Sequence, residues 1–152
     1  MSSQKSRRAD RIRALAALYA LHFNAANTLP DLEKFFKLCP SGDNDPGTVE
    51  EAEIESPTGF AWDLVLGVWS HQQDLDKIIA ELSQNWKLER IAPLDLSILR
   101  MAVFEMLFLN NIPVKVAINE AVELAKKYSD HMAPGFINGI LDSVAKLKAG
   151  EK

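Results

Sequence analysis

Apolar side chains recur along the chain at intervals of three and four residues and nowhere in sustained alternation, so the sequence predicts helices and no strands. The first helix runs from about Ser6 to Ala25, with Ile12, Leu15, Ala16, Tyr19, His22 and Phe23 on one stripe. A short second helix follows Pro30 and carries Leu32, Phe35, Phe36 and Leu38. Ser56-Pro57 supplies an N-cap followed by proline at the first helical position. The third helix that it opens turns Ala61, Leu64, Val65, Val68 and Trp69 inward, with Phe60, Trp62 and Leu66 widening the stripe. Asp74 reads as the cap of a fourth helix, striped by Leu75, Ile78, Ile79 and Leu82.

Pro93 opens a fifth helix, in which Leu96, Ile98, Leu99, Met101, Ala102, Val103, Phe104, Met106, Leu107 and Phe108 surround nearly the whole circumference. A helix apolar all round belongs at the centre of a core. Pro113 marks the start of a sixth, striped by Val114, Ala117, Ile118, Ala121 and Ala125, with Glu123 and Lys127 paired on its wet side. Pro134 begins the last, where Ile137, Ile140, Leu141, Val144 and Leu147 face inward. Short connections between the later helices favour antiparallel neighbours, so the fold class is all-α, a compact bundle of about seven helices. Pro40 to Ser56, rich in breakers and acids, reads as a mobile surface loop.

With 152 residues, 47% of them apolar and 25% charged, the chain is long enough for one domain with a real core. A single cysteine, Cys39, excludes a disulfide framework and a cysteine zinc cluster, and fits a reducing cytoplasm. His22, His71 and His131 are far apart, and no phosphate-binding GxxxxGKS loop, HExxH or GxSxG occurs. The reading is therefore of no catalytic residue, no metal ligand and no cofactor. The basic N-terminus is amphipathic, unlike a secretory signal, and no run approaches the ~20 apolar residues of a membrane span, so a soluble protein is expected.

Charge is distributed unevenly behind a formal net charge of −4. Met1 to Arg13 holds five cations, Lys5, Arg7, Arg8, Arg11 and Arg13, against one anion, Asp10. From Leu38 to Asp76 there is no Lys or Arg but nine acids. A basic pole on an acidic protein is a candidate phosphate-binding surface, because the local field governs encounter. Arg7, Arg8 and Arg11 have the three- and four-residue spacings of one helix patch, with Lys5 in the same segment. Guanidinium groups suit phosphate oxygens, and the opening of a helix also attracts anions. The competing reading is a solvated basic end paired with the acidic stretch, and Asp10 weakens the field. Tyr19 reads either as a core residue with a wet hydroxyl or as a stacking platform for a base.

Charges in the apolar fifth helix, Asp95, Arg100 and Glu105, must find partners or water. Ion pairs with neighbouring helices are the structural reading; the functional one turns Asp95 and Glu89 toward a basic protein. Glu120 and Glu123 read as a solvated helix face, and Gly135 and Gly139 as positions that permit close helix packing.

Several segments taken in order resemble a known family. They are Arg7-Arg8 with Arg11 and Ala17-Leu18-Tyr19, then Leu94-Asp95-Leu96-Ser97-Ile98-Leu99-Arg100 running into Phe104-Glu105. Ile112-Pro113-Val114-Lys115-Val116-Ala117-Ile118-Asn119-Glu120-Ala121 follows, and Phe136-Ile137-Asn138-Gly139-Ile140-Leu141-Asp142 ends the series. Their order and spacing resemble the bacterial transcription antitermination factor NusB family over about the first 25 residues and nearly everything after Gly59.

The resemblance implies an all-α NusB-like fold of two small helical subdomains packed together. It implies a basic partner, the tenth small-subunit ribosomal protein, called NusE in transcription. It further implies binding to boxA, a single-stranded element of nascent ribosomal RNA, within an RNA polymerase antitermination complex. On this reading Lys5, Arg7, Arg8, Arg11, Tyr19 and Phe136 bind RNA, while Glu89 and Asp95 meet NusE. Asp10, Ala9 where some members of the family have a basic residue, and Gly135 where a lysine is frequent reduce phosphate electrostatics, so the protein alone is expected to bind RNA weakly and to depend on its partner. A homodimer that hides the binding surface stays open, as does a protein–protein scaffold without RNA contact. The same fold precedes the catalytic domain of certain ribosomal RNA methyltransferases, but no glycine-rich cofactor loop follows here.

Overall fold

Proline and short polar side chains punctuate most of the helices. In the computed structural model, which describes residues 4–39, 57–83 and 87–150, the helices are α1 (Gln4–Phe23), α2 (Leu29–Leu38), α3 (Phe60–Leu82), α4 (Pro93–Phe108), α5 (Val114–Tyr128) and α6 (Ala133–Gly150). A single 3-10 turn covers Leu88–Arg90, and no strand occurs among the described residues. The acidic stretch expected to be a loop, Ser56 and the side chain of Lys5 lie outside the described residues. The fold is all-α, as expected, with six α-helices among the described residues rather than about seven. The third and fourth expected helices are one element, because nothing between Gly67 and Ser83 forces a stop; the chain bends instead at His71, whose φ of −114° and ψ of 16° leave the helical region. Asp74 thus lies within α3 and does not cap a new helix.

The start of α3 also differs. Its first helical bond runs from the Asp63 N–H to the Gly59 carbonyl at 2.9 Å, and Gly59 has a φ of +101°, which a side chain would resist. The turn therefore opens three residues after Ser56, at the residue able to adopt that backbone. Elsewhere the short polar residues behave as caps. The Asp31 N–H donates to Thr28 Oγ1 at 3.3 Å, ahead of Pro30 in the first turn of α2. Asp130 Oδ1 accepts from the Met132 and Ala133 N–H groups at 2.9 and 3.1 Å, closing the start of α6.

The chain divides into two compact units, Met1–Leu66 and Gly67–Lys152. In the first, α1 and α2 contribute Ala14, Leu15, Ala17, Leu18, Leu32 and Phe36 to the interior, and the opening of α3 contributes Ala61, Trp62, Leu64 and Val65. The Phe36 and Trp62 rings lie 5.2 Å apart at 54°, a tilted aromatic contact. The inward face of α1 is centred one residue earlier than its apolar stripe suggests: Arg11, Ala14, Leu15 and Leu18 are buried, while Ala16, Tyr19, His22 and Phe23 are exposed. One residue is about 100° of helix rotation, so this shift changes which side chains meet water.

In the second unit α4, α5 and α6 pack against one another. Every residue from Asp95 to Met106 is buried, as the all-round apolar pattern predicts. Some inward assignments differ: Trp69 is half-buried, and Phe108 and Leu147 at helix ends are exposed. Buried charge is matched by geometry. Arg100 grips Asp76 bidentately, with Nε to Oδ1 at 2.7 Å and Nη2 to Oδ2 at 2.9 Å. The Lys148 ammonium donates to the Met106 carbonyl in the last turn of α4. Glu120 is buried rather than on a wet face, and Glu123 pairs with Lys126 at 3.2 Å rather than with Lys127. Gly135 and Gly139 make no close approach; a Cβ at either meets nothing within 4 Å. The packing glycine is Gly67, where a Cβ would stand 2.0 Å from Phe104 Cζ.

Candidate nucleic-acid interface

The basic opening of α1 sorts its arginines by helix angle. Arg7 and Arg11 are one turn apart on the inward side, where both guanidinium groups lie against the Phe60 ring, 4.9 and 5.2 Å from its centroid. Arg11 is only 1% exposed and Arg7 is half-buried. Arg13 packs on Phe36 at 4.0 Å from its centroid and donates from Nη2 to the Phe36 carbonyl at 3.5 Å. Arg8 is exposed. The expectation that Arg7, Arg8 and Arg11 line one exposed patch is therefore corrected: Phe60 draws two of the three inward, because a stacked guanidinium tolerates partial loss of water.

The outward side of α1 is continuous along its length. At about 100° per residue, Arg8, Ile12, Ala16, Tyr19 and Phe23 fall within roughly 80° of the circumference. Tyr19 and Phe23 are 40% and 61% exposed, with ring centroids 5.3 Å apart. Tyr19 thus points to solvent rather than into the core. A cation at one end and aromatic rings at the other suit a polyanion with flat bases: the cation attracts phosphate and the rings accept stacking. Sequence reasoning placed Phe23 and His22 with the core stripe and gave Phe60 a place on the stripe of the third helix, not a role beside the arginines. The buried pair Ala14 and Leu18, three and seven residues beyond Arg11, carries the signal that sets the correct phase.

The remaining candidates lie in the second unit. Phe136 is half-buried in the first turn of α6. Glu89 is exposed in the 3-10 turn just before α4. Asp95 is 8% exposed and accepts a 2.6 Å hydrogen bond from the Ser129 hydroxyl, tying the start of α4 to the end of α5. It is largely withdrawn from solvent, contrary to the expectation of an outward-facing acid. Among the described residues no cluster of His, Cys, Asp and Glu can hold a metal ion, and no helix is long and apolar enough to cross a membrane. Burial pushes the Cys39 thiol above its ordinary range, with Arg13 opposing, so the cysteine is a poor nucleophile at neutral pH.

Comparison with known proteins fixes the lineage. The model of the NusB family matches residues 8–146. The chain belongs to the NusB family. A transcription antitermination protein NusB of Oleidesulfovibrio alaskensis is 44% identical over 149 residues, covering 97% of this chain and 93% of the relative. NusB of Geobacter sulfurreducens is 43% identical over 142 residues, covering 92% and 94%. Among solved structures, T. maritima NusB superposes with a TM-score of 0.73 at 29% identity, covering 96% of this chain and 93% of that one. A crystal structure of antitermination factors NusB and NusE in complex with double-stranded RNA gives 0.72 at 26% identity, covering 95% and 99%. Membership in the NusB family makes the chain a transcription antitermination factor and not an enzyme.

Proposed function

We propose that this NusB-family protein is an RNA-binding adaptor that joins NusE on the boxA element of nascent ribosomal RNA and helps RNA polymerase read through terminators in the cytoplasm. The observation that carries the reading is the exposed face of α1, which sets Arg8 and Tyr19 on one side of a single helix. Phosphate contacts there supply salt-dependent affinity, and stacking supplies purchase on unpaired bases. The solved NusB–NusE–RNA assembly supports the choice of partners. Arg7 adds a partly accessible cation and Lys5 extends the basic segment. Arg11 acts as a positioning residue, holding α1 on Phe60 so that Arg8 and Tyr19 face outward. Phe136 adds a second aromatic contact. Glu89 offers an exposed carboxylate to the basic NusE, while Asp95 positions it by fixing the start of α4.

Titrating a labelled boxA-type single-stranded RNA into the NusE-loaded protein over a salt series tests the reading. The wild type gives a linear fall of log affinity with log salt, and Arg8→Ala weakens binding and shallows that slope by about 0.7–1. Absence of RNA binding by the loaded wild type, or an unchanged slope in Arg8→Ala, overturns it.

A further inference from the structure

The aromatic surface of α1 does not end at Tyr19. Phe23 lies one turn further along, is more exposed than Tyr19, and has His22 beside it with ring centroids 5.1 Å apart. The planes meet at 83° in the Tyr19–Phe23 pair and at 77° in the His22–Phe23 pair, so neither neighbour stacks on Phe23. An isolated apolar side chain on a surface needs no explanation, but three adjoining exposed rings are a built feature. Leu29, just after the connection to α2, is also exposed.

We infer that Phe23, flanked by His22, is a second base-stacking position on the RNA face, extending the strand's path from Arg8 past Tyr19 to the C-terminal end of α1. This rests on the RNA-binding reading above and specifies where its strand runs. Three observations favour nucleic acid as the occupant. Phe23 shares its helix sector with Arg8 and Tyr19, so one strand can follow all three over about 22 Å. Between Arg8 and Tyr19 the sector holds Ile12 and Ala16, with Ala9 and Ala20 beside its edge, so no acidic side chain stands between cation and rings to repel a phosphate chain. The exposed end is aromatic rather than aliphatic, and an aromatic ring stacks on any base. His22 adds a ring N–H beside Phe23 for a base edge or a phosphate.

The test uses the NusE-loaded full chain with a boxA-type RNA and, separately, an oligouridylate. Phe23→Ala lowers affinity for both about tenfold while leaving the salt slope of the wild type, because a lost stacking contact releases no counterions. Phe23→Trp keeps or raises affinity, and Phe23→Leu falls with Phe23→Ala because an apolar side chain without a π face cannot stack. Circular dichroism melts check that these exposed substitutions leave the fold intact. If Phe23→Ala binds both RNAs as the wild type does while Tyr19→Ala is impaired, the stacking assignment is overturned and the RNA-binding reading survives. If Phe23→Ala and Phe23→Leu behave oppositely, with leucine retaining full function, or if only NusE association is lost, the surface docks protein and the inference fails. Failure of the loaded wild type to bind either RNA overturns both.

Discussion

Gly67→Ala lowers stability by about 2 kcal/mol, although alanine in place of glycine inside a helix ordinarily raises it by about 1 kcal/mol. The added Cβ would stand 2.0 Å from Phe104 Cζ and 2.4 Å from both Cε atoms. No real contact is that short, so the ring or the helix must move. Phe104 is 6% exposed, and its ring faces His71 at 6.0 Å and Phe108 at 5.4 Å between centroids. Displacing it disturbs α3 at its bend and α4 together. Thermal melts are expected to show a fall of about 4–8 °C for a chain of this size. Phe104→Leu shortens the side chain, so the double variant loses less than the sum of the single losses, a coupling that a double-mutant cycle reads directly. A Gly67→Ala protein as stable as the wild type would show that this contact is relaxed in solution.

Asp76→Ala is expected to cost about 3 kcal/mol, read as a lower denaturant midpoint. The change strands the Arg100 guanidinium in a helix buried along its whole middle. The side chains of Arg100 and Asp76 are 11% and 21% exposed, so water offers only part of the missing partner and the loss stays at the low end of the range for buried pairs. The more informative variant removes both charges. Asp76→Leu with Arg100→Met recovers most of the stability if the cost lies in the unpaired cation rather than in the pair itself. A double variant as unstable as the single one would assign the pair a net stabilising role.

The elements most legible in the sequence are those whose pattern leaves one solution. A helix apolar on all sides has to be enclosed, and α4 is. Pro30, Pro93, Pro113 and Pro134 mark helix openings because proline suits a first turn and resists any later one. Phase was harder to read. The stripe of α1 at Ile12, Leu15, Ala16 and Tyr19 has nearly the same apolar count as the one that is buried, and an arginine sits in the latter. Arg11 is hidden because Phe60, 49 residues further along the sequence, supplies a ring for its guanidinium, and a local pattern does not report such a partner. The same rotation turns Tyr19 and Phe23 outward, so the candidate site is richer in exposed aromatics and poorer in exposed arginines than the sequence implies. Asp95 follows the same logic: its residue type announces a charge, but Ser129, 34 residues away, decides that the carboxylate is spent inside the unit.

The central claim is that one face of the first helix carries the RNA. Chemical-shift mapping of the NusE-loaded protein on addition of boxA-type RNA tests it most directly. Perturbations are expected to concentrate at Arg8, Ile12, Ala16, Tyr19 and Phe23, with Ala14 and Leu18 on the opposite side of α1 much less affected. Shifts confined to α5 and α6 while that outward row stays silent would contradict it.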